Sequence, residues 1–194
     1  MINSFGGDVT IANNIVRERM LIDEYLPIYD VRERHRITVH APVERVYWAV
    51  RQLDISEARL TRLLFRLRGI SCPPRFALDD FLKMRFILLG ERTREELLLG
   101  LIGKFWTPAG ELRRLEPEEF TDFNERGYAK AAWNFSLLEQ ANGTVSLGTE
   151  TRVYCTDSAS RARFRLYWTL IGAFSGLVRR EMLQIIKRNP ERNL

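Results

Sequence analysis

The residues of this 194-residue chain whose side chains most readily do chemistry are two histidines and two cysteines. His35 and His40 lie on one predicted strand with opposite parity, so their side chains point to opposite faces of that strand. A histidine–carboxylate or histidine–serine pair would need residues distant in sequence to converge. Cys72 and Cys155 stand outside any CxxC spacing, which favours neither a disulfide nor zinc. We therefore predict no catalytic set, no metal and no cofactor.

Two short groups of residues resemble functional motifs without meeting their requirements. The segment "GLIGKF" contains Gly100, Gly103 and Lys104, but Phe105 stands where a phosphate-binding loop needs a hydroxyl for magnesium. Glu150 and Arg152 are two residues apart on one strand face, the spacing of a cross-strand charge ladder. We interpret neither grouping as catalytic.

Lys104 and Trp106 lie near the end of a predicted strand, close to Pro108. If that end borders a cavity, the pair could hold an anionic head group and a flat apolar body. The alternative is a lysine that extends its charge to solvent beside a core tryptophan. The sequence leaves both interpretations open.

Residues 127–153 alternate apolar and polar side chains around Ala141-Asn142-Gly143, which predicts a hairpin with a three-residue loop. That loop pairs odd residues with odd: Leu137 with Leu147, Phe135 with Thr149, and Trp133 with Thr151. This aromatic and threonine face is either core or the wall of a cavity, in which threonines orient an apolar ligand; we favour the cavity wall. The other face carries Asn134, Ser136, Glu150 and Arg152, and is predicted to face solvent.

The remaining pattern predicts the elements that position this face. Strands are expected at 31–39, 84–90 and 95–105, helices from Pro42 and over 55–68, a loop at 70–81, and a short helical turn from Pro117. An apolar stripe predicts one long helix over 158–187, with Pro190 just beyond its end. Within that stripe, Trp168, Ile171 and Ser175 are expected to face the hairpin and complete the cavity wall.

Together these elements predict an α+β fold of the helix-grip kind. A curved antiparallel sheet wraps around the long C-terminal helix, and two short helices follow the first strand. Residues 1–28 are expected to form a partly mobile leader, with ordered sequence beginning near Met20, and residues 29–190 the domain.

The composition indicates which classes of partner to expect. The 30 basic and 25 acidic residues give a net charge of +5, but they are interleaved, which is typical of a solvated surface rather than of a nucleic-acid-binding face. No apolar run approaches the length that spans a bilayer, and the N-terminus lacks the order of a signal peptide. We expect a cytoplasmic protein; a homodimer is an open alternative.

The segment "VHAPVERVYWAVRQL" resembles the opening of the START-like superfamily, also called SRPBCC, which includes polyketide cyclase/dehydrase-like and lipid-transfer proteins. Ala41, Pro42, Glu44 and Val46 match its usual strand-Ala-Pro-helix pattern, whereas Tyr47 stands where tryptophan is usual. The long last helix and the strand "GTVSLGTETRV" also fit. The resemblance covers about residues 29–188 and is to an uncharacterised bacterial branch.

This resemblance implies a hydrophobic cavity between the sheet and the last helix that serves lipids or other apolar small molecules. The expected function is a carrier or sensor of a hydrophobic or amphipathic molecule. Two alternatives stay open. One is a cyclase, dehydrase or isomerase acting on a polyketide-like or aromatic substrate. The other is a protein- or ribosome-interaction module that uses arginine-rich helix surfaces, including Arg179-Arg180 and Lys187-Arg188. A carboxylate, histidine or tyrosine with a strongly shifted pKa in the cavity would favour the enzyme, whereas an apolar cavity with one polar end would favour the carrier.

Overall fold

The computed structural model describes residues 19–58, 61–63, 66 and 77–191. The strands are β1 (Val31–Val39), β2 (Ile87–Arg92), β3 (Glu96–Gly103), β4 (Ala129–Glu139) and β5 (Val145–Cys155). The helices are α1 (Leu21–Tyr25), α2 (Val43–Arg51), a 3-10 helix (Ile55–Glu57), α3 (Leu78–Lys83), α4 (Pro117–Asp122) and α5 (Ser158–Glu191).

The five strands form one antiparallel sheet in the order β1-β5-β4-β3-β2. The long helix α5 packs against it, with its contacts mainly on β5, β1 and α2. The predicted α+β helix-grip fold is confirmed, because the sheet, the short helices after β1 and the long C-terminal helix are all present in that order.

The β4–β5 hairpin has the predicted register. Its pairs include Leu137 with Leu147, Phe135 with Thr149, and Trp133 with Thr151. Gly143 adopts a φ of +76°, the left-handed conformation that a three-residue loop of this kind requires. The turn therefore fixes which residues share a face, and the parity argument made from the sequence is confirmed.

The region after α2 differs from the prediction. The helix predicted over 55–68 begins as the 3-10 helix, and Leu63, expected to point inward, is exposed. Leu60, Leu64, Leu67, Gly69 and the segment 70–76, which includes Cys72, lie outside the described residues. The end of the predicted loop is helix α3, whose start is capped by the Asp80 side chain accepting a hydrogen bond from the Ala77 backbone.

The concave face of the sheet holds the larger part of the core. Apolar side chains of α2, the C-terminal half of α5 and the odd-numbered residues of β3, β4 and β5 pack together there. On α5 this packing comes from Met182, Leu183, Ile185 and Ile186. Burial of this kind contributes about 25 cal/mol per Å² of apolar surface, and it fixes one end of the helix on the sheet.

The convex face is also covered, so the predicted solvent face was wrong for Asn134, Glu150 and Arg152, which are all buried. Helix α1, inside the predicted leader, lies against β2, β3 and β4 on this face. The polar side chains tolerate burial because each is hydrogen-bonded: Glu150 accepts hydrogen bonds from Arg32 at 2.8 Å and from Arg152 at 2.7 Å. Residues 1–18 of that leader lie outside the described residues.

Helix α5 runs farther than predicted, through Pro190 to Glu191. A proline in the last turn costs one backbone hydrogen bond, and the end of the helix is held by other contacts. Lys187 Nζ donates to the Thr38 carbonyl at 2.8 Å, and a Glu191 carboxylate oxygen accepts from the His40 backbone N–H at 2.7 Å. These bonds tie the helix end to β1 and explain why it continues past the expected stop.

None of the helices among the described residues combines the length and apolar character needed to cross a membrane.

Candidate ligand-binding cavity

A cavity of about 1020 Å³ lies between the sheet and the middle of α5. Its floor is formed by β3, β4 and β5, its roof by α5 from Phe164 to Met182, and one side by the loop 105–112. Leu170 and Phe174 belong to both the lining and the exposed surface, which places them at the rim. The space is at the upper end of the range usual for small-molecule sites, about 300–1000 Å³.

The cavity exists because α5 is supported at its two ends. Phe164 is buried near the start of the helix, and buried apolar residues return only at Met182. Among the described residues between them, the buried one is Gly176, which lies beside β1: an added Cβ would lie 2.5 Å from Glu33 Oε1, so the Glu33 side chain would have to shift. The helix therefore approaches β1 closely while leaving space above β3 and β4.

Aromatic rings form much of the wall. Phe86 packs edge-on to Trp133 with ring centroids 6.4 Å apart, and Phe164 stacks on Trp168 at 5.6 Å. Phe105 packs edge-on to Phe164 at 6.3 Å. Rings held by one another in this way are rigid, so they give the cavity a defined shape and large apolar contact surfaces.

Six of the nine residues predicted to contact a ligand line this cavity. They come from four elements that the fold brings together: Trp106, Trp133, Thr151, Trp168, Ile171 and Ser175. Their role as ligand contacts stays a prediction.

The other three, Lys104, Phe135 and Thr149, lie outside the lining. Phe135 is fully buried in the core where α5 approaches the sheet. Thr149 is engaged by its neighbours: its hydroxyl donates to the Asn134 carbonyl at 2.7 Å and accepts from Trp133 Nε1 at 2.8 Å. The predicted face is thus divided, with Trp133 and Thr151 at the cavity and Phe135 and Thr149 in the core.

Lys104 points away from the cavity toward Glu111. Its ammonium donates to that carboxylate at 2.5 Å and lies 4.9 Å from the centroid of the Tyr128 ring. The bond to Glu111 raises the pKa of Lys104. A lysine already paired in this way is not positioned to hold a ligand in the cavity.

The polar end of the cavity is built around Arg179, which from the sequence entered only as part of a basic helix surface in the interaction-module alternative. Its side chain is only 13% exposed, and its Nε donates to Thr151 Oγ1 at 2.9 Å. Nη1 donates to the Ser175 carbonyl at 3.0 Å and also to the Ser175 hydroxyl. The sequence signal was the position of Arg179 four residues after Ser175, the small polar interruption of the apolar stripe.

A histidine–carboxylate pair lies next to Arg179, on β1 and outside the cavity lining. Glu33 Oε1 and His35 Nε2 are 2.8 Å apart on the same face of β1, and Arg179 Nη1 lies 3.4 Å from Glu33 Oε2. From the sequence we expected such a pair only between distant residues, yet two residues at i and i+2 of one strand share a face. Neither Glu33 nor His35 belongs to the cavity lining.

Chemically, the cavity is an apolar space with one charged group. Among the described residues that line it, Arg179 is the only charged one, and the lining contains neither a carboxylate nor a histidine. Burial lowers the pKa of Arg179, an effect that the negative charge of Glu33 only partly opposes. An arginine stays protonated in proteins regardless, so this end of the cavity carries a fixed positive charge.

Comparison with known proteins leaves the ligand open. No protein-family model matches the chain, and no curated protein matches it. The solved structures that resemble it include a Nitrosospira multiformis protein, at 13% identity and a TM-score of 0.42, covering 82% of this chain and 96% of that one. A hypothetical protein of Helicobacter pylori has 7% identity and a TM-score of 0.41, covering 87% of this chain and 93% of the other.

A third similar structure is the ZhuI aromatase/cyclase of a Streptomyces species, with 13% identity and a TM-score of 0.28. The match covers 81% of this chain and 94% of the enzyme. Similarities of this size establish neither a family nor an activity, so the relation to the START-like group stays a resemblance.

Proposed function

We propose that this protein binds a hydrophobic or amphipathic small molecule in the cavity beneath α5, as a carrier or a sensor. The observation that carries the proposal is the cavity itself: about 1020 Å³ of space, lined mostly by aromatic and aliphatic side chains, with one polar end. Apolar walls of this extent are unfavourable in contact with water, since burying apolar surface contributes about 25 cal/mol per Å². A ligand that fills the space would bury them.

The way in which α5 is held on the sheet supports the same proposal. The helix is fixed to the sheet by Phe164 at one end and by the cluster from Met182 at the other. Between them, Gly176 lies against β1 and Arg179 bonds to Thr151 of β5, while the inward side chains from Tyr167 to Ser175 face the cavity. This stretch can change its contacts without unfolding the helix, as entry and exit of an apolar ligand require.

The lining favours binding over catalysis. An enzyme that cyclises or dehydrates a substrate needs a group that moves a proton within hydrogen-bond reach of the reacting atoms. Among the described residues, no carboxylate or histidine belongs to the wall, Tyr167 is its one phenol, and the Glu33–His35 pair lies on the far side of Arg179. The arrangement is that of an apolar site with one orienting group.

A cavity-filling substitution tests the proposal. Ser175→Phe places a ring in the middle of the cavity roof and is expected to lower the affinity for Nile red, a neutral apolar dye, by about tenfold or more. The matched control is Ala162→Phe, which adds the same ring at an exposed position of α5 outside the lining. It should bind the dye as the unmodified protein does.

Dye fluorescence titration provides the measurement, and circular dichroism confirms that both variants are folded. Equal dye affinity for the unmodified protein and a folded Ser175→Phe variant would show that the space does not admit a ligand, and the proposal would be wrong.

A further inference from the structure

Arg179 is a cation on the wall of an apolar cavity, and its guanidinium group is only partly used by the protein. Nε is bonded to Thr151, and Nη1 is bonded to Ser175 and approaches Glu33. Nη2 has no acceptor among the described residues. A guanidinium group has five N–H donors in a planar fork, so the two on Nη2 stay available, on a residue that lines the cavity.

The carboxylate nearest to Arg179, that of Glu33, pairs with it only weakly. The nearest carboxylate oxygen, Glu33 Oε2, is 3.4 Å from Nη1, long for a charge-assisted hydrogen bond, whose usual length is about 2.7–2.9 Å. The other oxygen of Glu33 is held by His35 at 2.8 Å. The carboxylate is therefore drawn toward β1, and the cavity side of the guanidinium lacks a matching anion.

The neighbouring side chains hold this fork in place. Thr151 on β5 and Ser175 one helical turn before Arg179 both accept hydrogen bonds from it. The close approach at Gly176 keeps α5 against β1 at the same level. A cation fixed on two secondary-structure elements loses little further freedom when it binds an anion, which favours a directed contact.

From this geometry we propose that the ligand is an apolar monocarboxylate, whose carboxylate group is bound by Arg179 Nη2 while its apolar body lies among the aromatic rings. The inference deepens the binding function proposed above and depends on it. A carboxylate is the anion that the planar guanidinium fork matches. One cation at one end of an otherwise apolar wall suits a molecule with one anionic group.

Paired probes that differ only in charge test this inference at neutral pH. Dodecanoate is compared with dodecanol, and naphthoate with its methyl ester, by isothermal titration calorimetry. The unmodified protein should prefer each acid to its neutral partner by about 10- to 100-fold, the range expected for a hydrogen bond to a charged group. Whichever acid binds more tightly identifies an aliphatic or an aromatic body.

Three variants assign the preference to Arg179. Arg179→Gln should bind each acid no better than its neutral partner, with circular dichroism used to confirm that the variant is folded. Arg180→Gln, which removes the same charge from the adjacent exposed residue outside the lining, should keep the preference. Glu33→Gln removes the competing carboxylate, so the preference for the acid should increase several-fold.

The outcomes separate the two proposals. If the unmodified protein binds Nile red and dodecanol but shows no preference for the acids, the carboxylate inference is overturned and the binding function stands. If no probe and no dye bind, the binding function fails. If Arg179→Gln does not fold, Glu33→Gln decides: an unchanged or reduced acid preference overturns the inference, and an increase supports it.

Discussion

Arg152 and Arg179 are both largely withdrawn from solvent, one on each face of the sheet, yet the chain surrounds them differently. Arg152 lies on the convex face beneath α1, where Nε donates to Glu150 at 2.7 Å and Nη2 to Asp23 at 2.5 Å. Its Nη1 donates to the carbonyls of Ile22 and Leu26. All three nitrogens therefore have acceptors within the chain.

The pKa values of the two arginines shift in opposite directions for this reason. At Arg152, burial lowers the pKa, but hydrogen bonds to Asp23 and Glu150 outweigh it and the net shift is upward. At Arg179, burial also lowers the pKa, and Glu33 opposes it too weakly, so the net shift is downward. At Arg152 the protein's own hydrogen bonds and carboxylates outweigh the lost hydration of the charged form, whereas at Arg179 they do not.

This difference separates a structural charge network from a binding group. A buried network in which every donor and acceptor is satisfied holds its elements together and offers nothing to a ligand. A fixed, largely buried cation with unused donors lowers the stability of the folded protein because its lost hydration is not replaced. An anion that binds to those donors replaces that hydration. The convex face thus stabilises the molecule, and the concave face is the one suited to binding.

The largest expected effect comes from breaking the convex network. Glu150→Ala leaves Arg152, Arg32 and Arg34 without their shared carboxylate, and removing one partner of a buried ion pair costs about 3–5 kcal/mol. We expect the free energy of unfolding in urea to fall by that amount.

Glu139→Ala is the matched control, since Glu139 is an exposed residue of the same sheet. It should change the free energy of unfolding by less than about 0.5 kcal/mol. Similar results for Glu150→Ala and Glu139→Ala would show that the convex network is not structural and would remove the contrast between the faces.

A smaller effect is expected on the concave face. Trp168 is partly exposed and faces the cavity, whereas Phe164, one turn earlier, is 2% exposed and packed. Trp168→Ala should therefore cost about 1–2 kcal/mol, and Phe164→Ala about 3–5 kcal/mol. Urea unfolding measures both, and a larger cost for Trp168→Ala would mean that the middle of α5 is core rather than cavity roof.

Local patterns were enough to predict much of the fold. The hairpin register follows from a two-residue period and a three-residue loop, so the amino-acid sequence alone places Trp133 opposite Thr151, as the pairing of β4 and β5 confirms. The long helix follows from its apolar stripe. These features depend on residues close in sequence, whose geometry is set by the backbone.

The errors came from distant contacts. Glu150 and Arg152 have the composition of a solvent face, but both are covered by residues far away in the sequence. Arg32 and Arg34 of β1 bond to Glu150, and α1 lies over Arg152, with Asp23 as its partner. Arg179 and Arg180 form a dipeptide typical of a surface, but a step of about 100° along a helix separates a largely buried side chain from an exposed one. Which of the two faces inward is decided by the packing of α5 on β1, at Gly176.

The smallest expected effect concerns the start of the ordered chain, which the sequence analysis places near Met20, just before α1. A chain that begins at Met20 keeps α1 and therefore all the α1 contacts of Arg152, and keeps the backbone N–H groups of Leu21 and Ile22 that bind the buried Glu96. Among the described contacts, it loses an exposed bond from Arg92 to the Arg19 carbonyl. Surface contacts are worth at most about 1 kcal/mol.

We therefore expect the melting temperature of that chain to stay within about 3 °C of the full-length value, measured by differential scanning fluorimetry. Removing residues 1–28 instead deletes α1 and leaves Arg152 and Glu96 without those partners, so the same measurement should fall by about 10 °C or more. An equal loss for the two truncations would place an essential contact before Met20. The cover of the convex face would then be larger than α1, and the leader would belong to the domain.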